Sequence, residues 1–215
     1  MIVTIDGPAG AGKSSIARQL AERLGFEFLD TGAMYRAVAL ACLKAEVDLH
    51  DENQVAEVAE RIEITFRDNA ILLNGKDVSD DIRTPRVTEH VKFAASNSAV
   101  RALLVDQQRQ IGEACKNLVT EGRDQGTIVF PQAECKIFLT ATAEERARRR
   151  YRQLIASGER ITFAEVLDSQ NQRDAGDEKR SVAPLVKADD AVEVLTDEMS
   201  LDEVLTHLEW VVRSQ

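Results

Sequence analysis

The sequence predicts an α/β fold built on a five-stranded parallel sheet with helices on both faces, and three observations predict it. Short apolar runs alternate with longer stretches of helical periodicity. The first run leads straight into a glycine-rich loop, GPAGAGKS (Gly7–Ser14), and the runs end in polar residues, at the strand carboxyl ends where ligands sit in open α/β sheets. The runs are IVTI (Ile2–Ile5), FEFLD (Phe26–Asp30), NLVTEG (Asn117–Gly122), KIFLTA (Lys136–Ala141) and AVEVL (Ala191–Leu195). The first enters the glycine loop, the second DTG (Asp30–Gly32), and the third EGRD (Glu121–Asp124). Thr142 with Glu145 after the fourth, and Ser200 with Glu203 after the fifth, have the spacing of capping boxes and read as structural.

The loop matches G-x-x-x-x-G-K-[ST] at Gly7, Gly12, Lys13 and Ser14, with Pro8, Ala9, Gly10 and Ala11 between. Glycines let the backbone turn with positive φ and bring successive N–H groups onto one phosphate, and the following helix adds the positive end of its dipole. Lys13 then reaches the β- and γ-phosphates, Ser14 is the magnesium ligand, and Ser15 adds a second hydroxyl for the α-phosphate. Downstream, Ile16, Leu20, Ala21 and Leu24 recur at helical spacing and Gly25 ends the helix. An ordinary glycine turn before a helix explains this stretch less well, and a P-loop NTPase fold follows.

With 215 residues and 44% hydrophobic composition the chain can bury one sizeable core, so one domain with insertions is expected. The net charge of −10 argues against sequence-independent binding to a nucleic-acid polymer, which depends on Lys and Arg neutralising phosphates. Cys42, Cys115 and Cys135 lack C-x-x-C spacing and read as packed thiols in a reducing compartment. The phosphate loop begins too early for a signal peptide, and no apolar stretch approaches the ~20 residues that span a bilayer, so a cytoplasmic protein is expected. His50, His90 and His207 are scattered and suggest no metal site. No long heptad pattern calls for assembly, which favours a monomer.

Two segments interrupt the alternation. Ile62–Val78 holds β-rich runs joined by Arg67-Asp68-Asn69 and then Asn74-Gly75, a strong hairpin signal, and predicts a small antiparallel insert, either decorative or functional. The other, from Arg146 to Arg180, packs Arg146, Arg148, Arg149, Arg150 and Arg152 into seven residues of an acidic chain. Such a run is often a solvated helix face, but here a local anion site is the stronger reading. An arginine-rich flap over transferring phosphates would stabilise charge and exclude water.

GPAGAGKS, DTGAMYRA, EGRDQGTIVFP and QRDAGDEKRSVAPL, in this order, resemble the bacterial-type cytidylate kinases, nucleoside monophosphate kinases that move the γ-phosphoryl group of ATP to CMP or dCMP. The resemblance implies one kinase domain over residues 1–215, with an acceptor-binding insert near 60–90, a helical lid near 146–165, and magnesium with ATP. Carried onto matching positions, it places Arg36, Arg123 and Arg180 on the acceptor phosphate, and Thr31 and Tyr35 near the acceptor. Arg101 and Asp124 then read cytosine, and Ser96, Arg173 and Asp177 meet the sugar, with Ser98 an alternative to Ser96. Three guanidiniums suit a phosphate dianion, whose oxygens match their planar donor forks. A carboxylate facing the cytosine amino group would instead meet a carbonyl in uracil.

The expected catalytic set is Lys13, Arg36, Arg123, Arg180 and, from the arginine run, Arg149. Individually several of these have plainer readings: Asp30 or Thr31 as a helix cap, Tyr35 as packing, Arg101 or Arg173 as surface. Gln125 stands where the family commonly has an apolar residue and is expected to flank the motif without forming it. The rival readings are another small-molecule kinase of this fold and a non-catalytic nucleotide-binding module.

Overall fold

The structure is a computed structural model that describes residues 1–67, 70–180 and 182–215. In chain order the elements are β1 (Ile2–Asp6), α1 (Lys13–Leu24), β2 (Glu27–Asp30), α2 (Thr31–Lys44), α3 (Glu52–Arg61), β3 (Ile64–Arg67), β4 (Ala70–Leu73), β5 (Lys76–Asp77), α4 (Pro85–Ser96) and α5 (Ser98–Ala114). They continue with β6 (Leu118–Gly122), β7 (Cys135–Thr140), α6 (Ala143–Ala156), α7 (Phe163–Glu178), β8 (Val192–Leu195) and α8 (Leu201–Arg213). The chain forms two compact units, one of residues 1–29 with 112–215 and one of residues 30–111.

The larger sheet has the order β2-β6-β1-β7-β8. Parallel pairing sets Val3 opposite Val119 and Cys135, and Ile137 opposite Val192. β6 is buried along its whole length, as expected of a strand inside a sheet covered on both faces. Val3, Ile5, Val119, Ile137 and Leu139 pack with Ile16 and Leu20 of α1 and with Leu205, Leu208 and Val212 of α8. Gly25 ends α1 in the left-handed conformation (φ 68°), its N–H returning to the last turn. The Ser200–Glu203 capping box forms, and so does one at Thr162 and Glu165 that the sequence did not flag.

At Thr142 only half a box exists. Its hydroxyl accepts the Glu145 N–H, but the Glu145 carboxylate is taken by Arg148 and Arg149, and Asp197 accepts the Thr142 N–H instead.

In the 30–111 unit, Asp30 caps α2 by accepting the Ala33 N–H at 2.9 Å. Asn74 and Gly75, both at positive φ, turn the chain between β4 and β5 and pair Leu73 with Lys76, the two-residue hairpin that Asn-Gly favours. The turn expected at Arg67-Asp68-Asn69 lies partly outside the described residues; β3 and β4 pair antiparallel on either side of it. Ile71, Leu73, Ile82 and Val87 bury against Ala33, Ala37 and Leu40 of α2. The small sheet thus belongs to a unit wider than the 60–90 insert. Among the described residues no helix is long and apolar enough to cross a membrane. Cys42 and Cys135 are buried free thiols, pushed by burial to about 11, and Cys115 is half-buried; none has the depressed pKa of a reactive thiol.

Candidate active site

The phosphate loop takes its shape from three glycines at positive φ: Gly7 (149°), Gly10 (77°) and Gly12 (87°). Gly12 stands at the N-cap of α1 and brings no side-chain acceptor, so the first-turn N–H groups and the dipole of α1 serve whatever anion enters the loop. Lys13 is buried and its Nζ donates to the Pro8 carbonyl at 2.8 Å. Burial, then the nearby Arg123 charge, lowers its pKa from 10.5 to about 7, while Glu121 and Asp6 pull the other way. An ammonium so depressed is short of negative charge, which a polyphosphate would supply.

The Ser14 hydroxyl donates to Glu121 Oε1 at 2.7 Å. Glu121 is the next-to-last residue of β6, next to β1, and is buried; no role was assigned to it from the sequence, although an acid near the carboxyl end of an apolar strand was the available signal. Two oxygens of this kind suit Mg²⁺, which keeps several waters and takes one or two protein ligands plus phosphate oxygens. Among the described residues no cluster of three or more His, Cys, Asp or Glu could hold a metal by itself.

Asp6, at the end of β1, accepts the N–H groups of Gln125 (2.9 Å) and Gly126 (2.7 Å). Burial, with Asp124 adding to it, raises its pKa to about 6 against the effect of those two bonds. Gln125 is 1% exposed and its Oε1 accepts from Thr120 Oγ1 at 2.9 Å. It is therefore built into the turn that carries Arg123 and Asp124, a correction to the reading of it as a flanking residue. An apolar side chain there would make neither the Thr120 bond nor any other polar contact.

Arg123, Arg173, Asp177 and Arg180 come together. Arg123 Nε donates to Asp177 Oδ2 at 2.9 Å, and Arg180 Nη2 donates to Asp177 Oδ1. Burial would raise the Asp177 pKa, but Arg123, Arg180 and Arg173 outweigh it and hold the carboxyl low. Arg173 is exposed as a whole residue, yet the protein around its head group, then Arg123, lowers its pKa. Excess positive charge in one place is what a phosphate site needs. Asp177, expected on the sugar, here holds two of the arginines expected on the acceptor phosphate. Asp124 is buried at the start of this turn.

Within the 30–111 unit, Thr31 opens α2 and is buried, with Asp30 rather than Thr31 as the cap. Arg36 Nη1 donates to Thr88 Oγ1 (2.8 Å) and to the Ile82 carbonyl (3.1 Å). Arg101 is buried with its guanidinium 5.5 Å from the centre of the Tyr35 ring, so a cation–π contact joins these two expected acceptor residues. Ser96 is exposed and its hydroxyl returns to the Lys92 carbonyl of its own helix. Ser98 is exposed at the start of α5, and between them buried Asn97 caps α5 through the Ala99 and Val100 N–H groups.

The arginine run divides. Arg149 donates to Glu145 Oε1 (3.1 Å), Thr196 Oγ1 (3.1 Å) and the Thr196 carbonyl (2.7 Å), which anchors α6 to the end of β8. Arg148 pairs with Glu145 and Arg150 contacts Gln153 on the surface. Arg146, which the sequence did not set apart from its neighbours in the run, reaches the phosphate loop: its Nη1 lies 2.9 Å from the Ala9 carbonyl.

Comparisons with known proteins bear on the family and the fold. The family model described as cytidylate kinase matches residues 3–214. The cytidylate kinase of Rhodopirellula baltica is 51% identical over 99% of this chain and 93% of its own. That of Carboxydothermus hydrogenoformans is 47% identical over 97% and 95%. A solved shikimate kinase from Bacteroides thetaiotaomicron covers 99% of the chain and 98% of its own at a TM-score of 0.53 and 14% identity, which bears on the fold alone. On the match of residues 3–214 and these identities, the chain belongs to the cytidylate kinase family.

Proposed function

We propose that this chain transfers the γ-phosphoryl group of ATP to CMP or dCMP, releasing ADP and the nucleoside diphosphate. The observation that carries the reading is the cluster of Arg123, Arg173 and Arg180 around Asp177, with Arg123 and Arg173 also close enough to act on Lys13, in the unit that bears the phosphate loop. A phosphate-binding module or switch would need Lys13 and the loop but not the other three.

The loop from Gly7 to Ser15 takes the donor phosphates, with Lys13 as its cation. Ser14 and Glu121 would hold Mg²⁺, which neutralises phosphate charge when bound. Arg123 and Arg180, freed from Asp177, and Arg36, from Thr88, hold the acceptor phosphate. Asp124 accepts from the cytosine amino group and Arg101 donates to its ring acceptors. A nucleotide monophosphate near neutral pH needs little deprotonation, so no strong general base and no covalent intermediate are invoked. Positioning and charge stabilisation supply the rate. The setting we assign is cytoplasmic and monomeric, consistent with three free cysteines.

A coupled ADP-release assay with ATP and magnesium, offering CMP, dCMP, UMP, AMP, GMP and shikimate separately, tests the reading. Turnover confined to CMP and dCMP is expected. Preference for another acceptor would retain a kinase and overturn the base-reading pair; no turnover on any would leave a nucleotide-binding protein.

A further inference from the structure

A loop that aims its N–H groups inward at phosphate must turn carbonyls outward, and each buried carbonyl needs a donor. The Ala9 carbonyl has two. Arg146 Nη1, from the first turn of α6, and Gln170 Nε2, from the middle of α7, both lie 2.9 Å from it. Arg146 Nη1 also contacts Asp174 Oδ2 at 2.5 Å, and its Nε donates to the Ala141 carbonyl just beyond β7 at 2.9 Å.

All three residues are at least nine-tenths buried: Arg146 6%, Gln170 7% and Asp174 9% exposed. The packing is direct, since a Cβ on Gly10 would stand 2.7 Å from Gln170 Nε2 and 3.3 Å from Arg146 Cβ. Asp174 Oδ1 is buried with no hydrogen-bond partner among the described residues, so the carboxylate's hold on Arg146 is its main electrostatic compensation.

We infer that Arg146, Gln170 and Asp174 are positioning residues that set the shape of the phosphate loop through the Ala9 carbonyl and couple α6 and α7 to the bound nucleotide. The inference rests on the reading of Gly7–Ser15 as the ATP site. Gln170 and Arg146 hold the back of the loop so that the Gly10–Lys13 amides keep their inward aim. Any rotation of α6 or α7 then pulls on that carbonyl, and phosphate in the loop resists the pull. The arginine run is thus not uniform: Arg146 is spent on the protein's own backbone.

The test is ATP affinity by isothermal titration without any acceptor, for the wild type, Gln170→Met, Arg146→Lys and the double variant, with steady-state kinetics beside it. Gln170→Met keeps length and burial but removes one donor; a ~3- to 10-fold weaker ATP affinity and a matching rise in KM for ATP are expected. KM for CMP stays within about twofold, a separation that a general loss of packing would not produce. In the double variant the carbonyl loses both donors or their geometry, and the loss exceeds the product of the single losses, because each donor backs up the other. Unchanged ATP affinity in Gln170→Met, or equal weakening towards ATP and CMP, would overturn the inference. Since ATP binding is read alone, absent CMP turnover in the wild type would count against the acceptor assignment, and the clamp would still stand or fall on the titration.

Discussion

Gly7→Ala tests the phosphate loop at its tightest point. At Gly7 the backbone has φ 149°, and a Cβ built there would lie 2.0 Å from the Leu139 carbonyl oxygen and 3.0 Å from its carbon. Both obstacles are main chain of β7, a strand paired on both edges, so neither can swing aside. Ordinary contact begins near 3.4 Å, so the loop must retreat by roughly 1 Å or more, a displacement that can cost on the order of 10²-fold in rate. Overpacking adds about 1–3 kcal/mol of destabilisation.

Gly25→Ala is the control. It also sits at positive φ, 68°, but nothing lies within 4 Å of its Cβ, so only the conformational cost of about 1–2 kcal/mol applies. Measured by kcat/KM for ATP and by denaturant midpoint, Gly7→Ala should lose activity well beyond its stability loss, while Gly25→Ala loses stability alone. Wild-type activity in a folded Gly7→Ala protein would refute the reasoning.

Four further outcomes are expected. Lys13→Met should keep the far-UV circular dichroism spectrum and lose turnover by ~10³-fold or more, as removal of a cation from the transferring phosphates demands. Asp124→Ala should cut kcat/KM for CMP by ~10²-fold or more and that for UMP far less, read as the ratio of the two. Asp177→Asn should lower KM for CMP about threefold or more, by removing the anion that the acceptor phosphate must displace from Arg123 and Arg180, with little change in KM for ATP. Asp6 has a folded pKa of about 6 against 3.8 unfolded, so the folded state holds the extra proton between those values. Its contribution to stability is full below pH ~4 and lost as pH rises through ~6; urea titrations at several pH values should show a flatter profile in Asp6→Asn across that window.

The strands were legible because each carries a short apolar run bounded by polar or capping residues; Ile2–Asp6 and Leu118–Gly122 differ from expectation only at their ends. Asn74-Gly75 announced its turn by residue type alone. The Thr142 box failed because Asp197 and two arginines compete for its partners, and Asp197 lies far along the chain. The same distance hid the Ala9 clamp: Arg146 and Gln170 meet that carbonyl from 137 and 161 residues away. The gathering of Arg123 and Arg180 around Asp177 was visible only in part, since the family resemblance implied three ligand contacts but not that the acid would bind the arginines.

If Arg123 and Arg180 take the acceptor phosphate as proposed, the grip of Asp177 on them makes acceptor entry an exchange of anions. Before the exchange, Asp177 orders Arg123 and Arg180 and neutralises part of their charge, while Arg173 leaves the cluster net positive. A singly charged phosphodiester offers no more than the carboxylate already in place, and an uncharged nucleoside offers nothing. Only a terminal phosphate with two negative charges and oxygens matching both donor forks displaces the incumbent with energy to spare. Selection of a monophosphate over its nucleoside is therefore exercised by a residue that competes with the substrate.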